Sequence, residues 1–246
     1  DKNYGPKNYK KIKVKNVLKF LSILGSNIRK VSNIHAISIT GSSGKTSLKE
    51  LLGKSLSSLC STFYSKKSYN NKYGVPISLF NINKKNVFGI FEVGMDRKGE
   101  IDKLTKIIKP DLGIITNISY AHAKNFKNLS DIASAKSEII NNINKGGTII
   151  LNKQDKFFNF FKKKSIKNNL KIISFAKNIN ADVMHIKTLR KKSDCILFIK
   201  SRNKLKKFVI KYNLLPYLDN ILATVAVISI YFDIQKIKKN IFYNFP

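Results

Sequence analysis

The chain has 246 residues, of which 43% are hydrophobic, enough for one domain with a substantial core and too many for a small stapled module. Its 47 Lys and Arg against 14 Asp and Glu give a formal net charge of +33. The lysines accompany Asn and Ile along the whole length and form no arm or stripe, so the charge reads as a solvated basic surface that would draw in an anionic, phosphate-rich substrate, not as a nucleic-acid footprint. Cys60 and Cys195 belong to no CxxC pair and have no His at metal spacing, which argues against a disulfide framework or a zinc site and suits a reducing cytoplasm.

The N-terminus carries charge with no apolar run behind it, so it does not read as a secretory signal. Residues 1–12 are polar and basic and read as the end of a linker. Over residues 14–28, Val14, Val17, Leu18, Leu21 and Leu24 recur at helical spacing, predicting an amphipathic helix whose apolar face needs a sheet to cover. His35–Thr40 predicts a short buried strand, a Gly-rich turn follows, and residues 47–59 predict a helix with five leucines on one side. Further strands are expected at residues 87–93, 112–116 and 148–151, separated by helices at Glu100–Ile108 and at residues 129–143. Strands with little alternation, spaced by helices, indicate an α/β fold: a doubly wound, mostly parallel sheet with a P-loop-like mononucleotide-binding site. After Asn152 the chain is more basic and less regular, with strands expected near residues 171–175, 195–200 and 207–212 that extend the same sheet. The longest apolar stretch, residues 221–232, is interrupted by Thr224 and Ser229 and falls short of the ~20 residues a membrane span needs. It predicts a buried helix and no membrane span.

The sharpest local signal is ISITGSSGKTS, in which Gly41, Ser42, Ser43 and Gly44 join strand to helix ahead of Lys45, Thr46 and Ser47. Small residues let backbone N–H groups converge on phosphate oxygens, the helix N-terminus adds its positive end, Lys45 would reach the outer phosphates, and Thr46 would hold Mg²⁺. The strict Walker pattern wants Gly where Ile39 stands, but the strand–turn–helix context is present. FEVGMD puts Glu92 at the carboxyl end of a strand, where a carboxylate can bind Mg²⁺. TNISYAH puts Asn117 and His122 on the same edge, whereas His35 and His185 read as structural or exposed. In SYNNKYGVP, Asn70 and Asn71 by themselves mark only a polar turn, and Lys136 in ASAKSEI by itself reads as solvent-facing.

Taken in order, TGSSGKTSLKE, SYNNKYGVPISL, EVGMDRKGEI, TNISYAHAKNF, ASAKSEI and LNKQD resemble the Mur ligase family, and within it the branch that adds D-alanyl-D-alanine. The resemblance runs well from about Val14 to Asp155 and more faintly beyond. It implies a cytoplasmic, monomeric ATP-dependent ligase of peptidoglycan precursor synthesis that joins D-alanyl-D-alanine to UDP-N-acetylmuramoyl-tripeptide through an acyl phosphate. It also implies two Mg²⁺ ions, with Thr46 and Glu92 at the nucleotide-side ion and His122 at the second. Lys136 matches the lysine expected to become a CO₂-derived carbamate beside that second ion, and Asn70 and Asn71 match substrate-lining positions. On this likeness residues 13–246 are the central ATP-binding domain, residues 1–12 a linker or the end of an N-terminal domain, and the C-terminal ligase domain is absent. Where the family shows G-x-H-x-x-x-N near the nucleotide, this chain has LLPYLDN, keeping Asn220 but placing Leu214 and Pro216 at the Gly and His positions. The rival readings are another ligase on the same fold, such as a folylpolyglutamate synthase, against which the NN…GVP loop argues; a polyanion-binding protein; and a ligase fragment that binds ATP without turnover.

Overall fold

A computed structural model describes residues 12–120, 125–243 and 245. Nine strands form one sheet in the order β2-β3-β1-β4-β5-β6-β7-β8-β9. They are β1 His35–Thr40, β2 Thr62–Tyr64, β3 Phe88–Glu92, β4 Leu112–Ile115, β5 Thr148–Asn152, β6 Lys171–Lys177, β7 Val183–Arg190, β8 Asp194–Ser201 and β9 Lys204–Lys211. Pairing is parallel from β2 to β7 and antiparallel across β7, β8 and β9. The doubly wound sheet expected from the strand–helix alternation is therefore present, with an antiparallel extension.

The central strands are apolar on both sides because both faces are covered. On one face α2 (Lys45–Ser57) and α7 (Leu218–Tyr231) pack on Ile37, Ile39, Ile90, Ile114 and the alternate residues Cys195, Leu197 and Ile199 of β8. On the other, α3 (Gly74–Phe80), α4 (Glu100–Ile108), α5 (Leu129–Lys136) and α6 (Phe158–Lys167) close over Ala36, Phe91, Ile115, Ile149 and Leu151. Together with the 3-10 turn ahead of it, α7 makes a helical run, Tyr212–Tyr231, whose length and apolar composition would pass for a membrane span, but most of it is buried in this core.

Several expectations are corrected. The first helix, α1, runs Val17–Val31 and packs on α3 and α4 instead of on the sheet; Gly25 is buried there, a Cβ on it standing 3.3 Å from Pro76 and Leu79, while Val17 and Leu24 of the expected apolar face are exposed and Val14 precedes the helix. Arg29 latches it: Nε donates to the Ile108 carbonyl at 2.7 Å and Nη2 to Asp111 Oδ2 at 2.9 Å. The strand at Thr62–Tyr64, the helix α6 and the strand β7 fall where no element was expected. The helix expected over residues 129–143 is α-helical only to Lys136 and then tightens into a 3-10 turn, Ser137–Asn142.

Candidate functional site

The crossovers leave β1 toward β3 on one side and reach β4 on the other, so the carboxyl end of β1 is the switch point at which open α/β sheets bind ligands. The Gly-Ser turn lies there. Gly41 has φ +152° and a Cβ on it would fall 1.8 Å from Thr116 Oγ1, so no side chain fits; Gly44, at φ +76°, is the left-handed N-cap of α2. Lacking a side chain, Gly44 caps nothing, and the first helical hydrogen bond runs from Leu48 N to the Gly44 carbonyl. The amides of Lys45, Thr46 and Ser47 thus face the site without an intrahelical partner, at the positive end of the helix.

The rest of the turn is already tied down. Ser42 N donates to the Asn117 carbonyl at 2.9 Å, Ser43 N to Asn117 Oδ1 at 3.1 Å, and Thr116 Oγ1 to the Ser43 carbonyl at 2.7 Å. The Ser42 hydroxyl donates to the Ser119 carbonyl and accepts from Ser119 N, both at 2.9 Å. Asn117 is therefore a clamp on the turn, and the donors left for an anion are narrower than the sequence suggests, being those of the first turn of α2. Asp155, from LNKQD, extends the clamp by accepting from Ile118 N at 2.8 Å. His122 lies outside the described residues.

Two lysines converge on one carbonyl: Lys45 Nζ and Lys136 Nζ each donate to Gly41 O at 2.9 Å. Lys136 is 2% exposed, which overturns the solvent-facing reading, because α5 ends beneath the turn and points its last side chain inward. Burial, with the nearby Lys45 charge adding to it, pushes the Lys136 ammonium down to about 7. Burial lowers Lys45 as well, and Glu92 opposes the shift.

Glu92 ends β3 at 1% exposure and uses both oxygens: Oε2 accepts from Thr46 Oγ1 and Oε1 from Asn70 Nδ2, each at 2.8 Å. Asn71 has a different task in this arrangement. Its Oδ1 accepts from Tyr73 N at 3.1 Å and Gly74 N at 3.0 Å, an Asx turn that starts α3. Glu138, two residues past Lys136, accepts from Gly99 N at 2.7 Å and Asp102 N at 3.1 Å, so AKSEI caps the start of α4 and holds the EVGMDRKGEI loop. Asn220 is buried on the first turn of α7, with Oδ1 3.3 Å from where a Cβ on Gly44 would stand, while Leu214 and Pro216 belong to the 3-10 turn Tyr212–Tyr217.

Lys45, Lys136, Asn70, Asn71, Tyr73 and Glu100 are among the residues lining a groove of about 500 Å³ between the loop before α3 and the start of α4. A second groove, of about 510 Å³, between α6 and strands β6 to β8 shares no residue with it. Among the described residues no group of three or more His, Cys, Asp and Glu could hold a metal, so an ion here would depend on hydroxyl, carboxylate and ligand oxygens.

Residues 39–228 match the Mur ligase middle domain. The UDP-N-acetylmuramoyl-tripeptide–D-alanyl-D-alanine ligase of Buchnera aphidicola subsp. Baizongia pistaciae is 37% identical over 184 residues, 74% of this chain and 40% of that protein. The protein of the same name from Borreliella burgdorferi is 42% identical over 125 residues, 51% of this chain and 27% of that one. The solved structure of MurF from Acinetobacter baumannii has a TM-score of 0.84 at 29% identity, covering 91% of this chain and 49% of that one. The chain thus spans less than half the length of these proteins. The match from residue 39 to residue 228 takes in the phosphate-loop turn, both lysines, Glu92 and Asn220, and the chain belongs to the Mur ligase middle domain family.

Proposed function

We propose that this chain is the ATP-binding domain of a cytoplasmic ATP-dependent amide ligase that joins D-alanyl-D-alanine to UDP-N-acetylmuramoyl-tripeptide. The observation that carries the reading is that Lys45 and the buried Lys136, which line one groove, meet on the Gly41 carbonyl at the open first turn of α2, with Thr46 on the same turn paired to Glu92, itself tied to the groove's Asn70. The substrates come from the names of the relatives. We assign residues 13–246 to this domain.

In such a ligase a substrate carboxylate attacks the γ-phosphorus, ADP leaves, and an amine then displaces phosphate from the acyl phosphate. The protein's share is positioning and electrostatics. The amides of Lys45, Thr46 and Ser47 would receive phosphate oxygens, and Lys45 would exchange the Gly41 carbonyl for a phosphate and so follow the charge as it develops. Asn70 and Asn71 would line the path of the acyl substrate, and Asn220 would flank the nucleotide beside Gly44. Magnesium takes oxygen donors and keeps several waters, so the Thr46 hydroxyl and Glu92 carboxylate, 2.8 Å apart, fit it. When bound, the ion would neutralise charge building on the phosphoryl oxygens.

A second ion would need Lys136 changed in sign. An ammonium repels a cation, but a neutral Lys136 amine adding to CO₂ forms an N–C bond, loses one proton and becomes an anionic carbamate with oxygen donors. Its lowered proton affinity favours the neutral amine that this reaction requires. His122 would be the partner ligand. Full activity of Lys136→Ala without added bicarbonate or a small carboxylic acid would exclude the carbamate.

The domain reading is tested by calorimetry of ATP binding to this chain with and without Mg²⁺, repeated on Lys45→Ala at two salt concentrations. Magnesium-dependent binding that Lys45→Ala abolishes is the expected result. Binding indifferent to both, and weakened only by salt, would replace it with general polyanion binding to the basic surface.

A further inference from the structure

The loop of residues 65–71, between β2 and α3, supplies Asn70 to Glu92 and brings the Ser68 hydroxyl 3.4 Å from Thr46 Oγ1. It therefore forms one wall of the Thr46–Glu92 pair. Its ends are secured by main-chain bonds to β3 and the residues after it: Ser65 N donates to the Ile90 carbonyl at 3.0 Å, and Gly94 N to the Asn70 carbonyl at 2.8 Å. Its middle, Lys66 to Ser68, is exposed, and Lys67 sits at φ +45°, a left-handed conformation that a lysine does not favour.

One side chain reaches under that middle. Lys49, on α2 one turn beyond Lys45, is 0% exposed, and its ammonium donates to the Lys67 carbonyl while pairing with Glu50 Oε1 at 3.0 Å. A lysine with no contact to water persists only where partners replace its hydration. Room for it comes from the same helix. Four residues on, at Gly53, any Cβ would stand 2.5 Å from the Tyr64 ring, so β2 lies tight against α2 and the chain leaving it runs directly over Lys49.

We propose that Lys49 is a positioning residue for the divalent cation of the nucleotide site: by holding the Lys67 carbonyl it fixes the 65–71 loop against α2 and so sets Ser68 and Asn70 around Thr46 and Glu92. This rests on the reading of that pair as a magnesium site. The Lys49 ammonium bonds to the Lys67 carbonyl and Glu50, and acts on the pair through the loop. Outer partners of this kind govern ion affinity more than they govern the grip on the rest of the ligand.

The experiment is a Mg²⁺ titration of ATP binding on the 246-residue chain, for the unaltered protein, Lys49→Met and Ser68→Ala, with hydrogen exchange of the amides of residues 66–71 measured without nucleotide. Lys49→Met is expected to raise the half-saturating Mg²⁺ concentration about tenfold, to leave ATP affinity at saturating Mg²⁺ within about threefold, and to speed exchange in the loop while the amides of α2 and β1 stay protected. Ser68→Ala, a surface change that folds in any case, is expected to shift the Mg²⁺ requirement in the same direction by a smaller factor and to leave exchange unaltered. An unchanged Mg²⁺ requirement in Lys49→Met, or equal weakening at every Mg²⁺ concentration, overturns the role of Lys49 alone. Failure of the unaltered chain to bind ATP with Mg²⁺ overturns the site reading and the inference together.

Discussion

Lys136 shows what a buried lysine does to stability. At neutral pH its ammonium has one carbonyl partner and a second cation close by, and it is held at about 7 instead of 10.5. Lys136→Met removes the desolvated charge at the loss of one hydrogen bond, and a gain of about 1–3 kcal/mol in urea unfolding at pH 6 is expected, with loss of the chemistry assigned to the site. Gly41 works the other way. With Thr116 Oγ1 in the space a Cβ would take, Gly41→Ala must displace the end of β4 or the turn, and a loss of at least about 2 kcal/mol is expected on the same measurement. His185 supplies a pH dependence. Burial pushes its imidazole below the usual 6.5, so as pH falls through that value the unfolded chain takes up the proton first and stability drops. Replacing it with Gln should flatten the decline in melting temperature between about pH 7 and 5.

Elements differ in how openly the sequence announces them. The strand His35–Thr40, the helix Glu100–Ile108 and the turn between β1 and α2 were legible because apolar runs, periodicity and glycine placement all agree there. The strand Thr62–Tyr64 is three residues long and at the sheet edge, too short to show a period. β7 hides because a register shift between His185 and Lys187 breaks its alternation and because much of it is exposed, and α6 hides because only Phe161 and Ser165 of its ten residues are buried. In the site, Lys45, Thr46 and Glu92 follow from their places at a strand end or helix start. The burial of Lys136 and Lys49 does not, since it is created by residues 95 and 18 positions away that no local pattern connects to them. At this scale α1 is the element to test. Arg29 joins it to the end of α4 and to Asp111, which also accepts from Ala36 N at 2.9 Å. Arg29→Ala should cost about 1–3 kcal/mol and expose the segment just after Val31 to limited proteolysis.

For the whole molecule, a formal net charge of +33 is a standing self-repulsion. The described ion pairs are few and mostly on the surface, such as Lys106–Asp102 and Lys204–Asp233, and do not offset it. Raising NaCl from about 0.05 to 0.5 M should therefore raise the melting temperature by several degrees through screening alone, and an anionic nucleotide should arrive faster at low salt. A melting temperature indifferent to salt would show that the lysines are spaced widely enough to ignore one another.

The place of β1 in the middle of the sheet has a consequence for how the protein assembles. Its neighbours are β3 and β4, the amides of Ser42 and Ser43 wait for Asn117, the Gly41 carbonyl for Lys136, and Gly44 for Asn220. The β8–β9 hairpin, by contrast, closes within eighteen consecutive residues from Asp194 to Lys211. During synthesis the turn that would grip ATP is thus made before it is shaped: it leaves the ribosome well ahead of α7 and gains its last neighbour only when that helix docks, so a nascent chain stalled before Asn220 would carry the motif without the pocket.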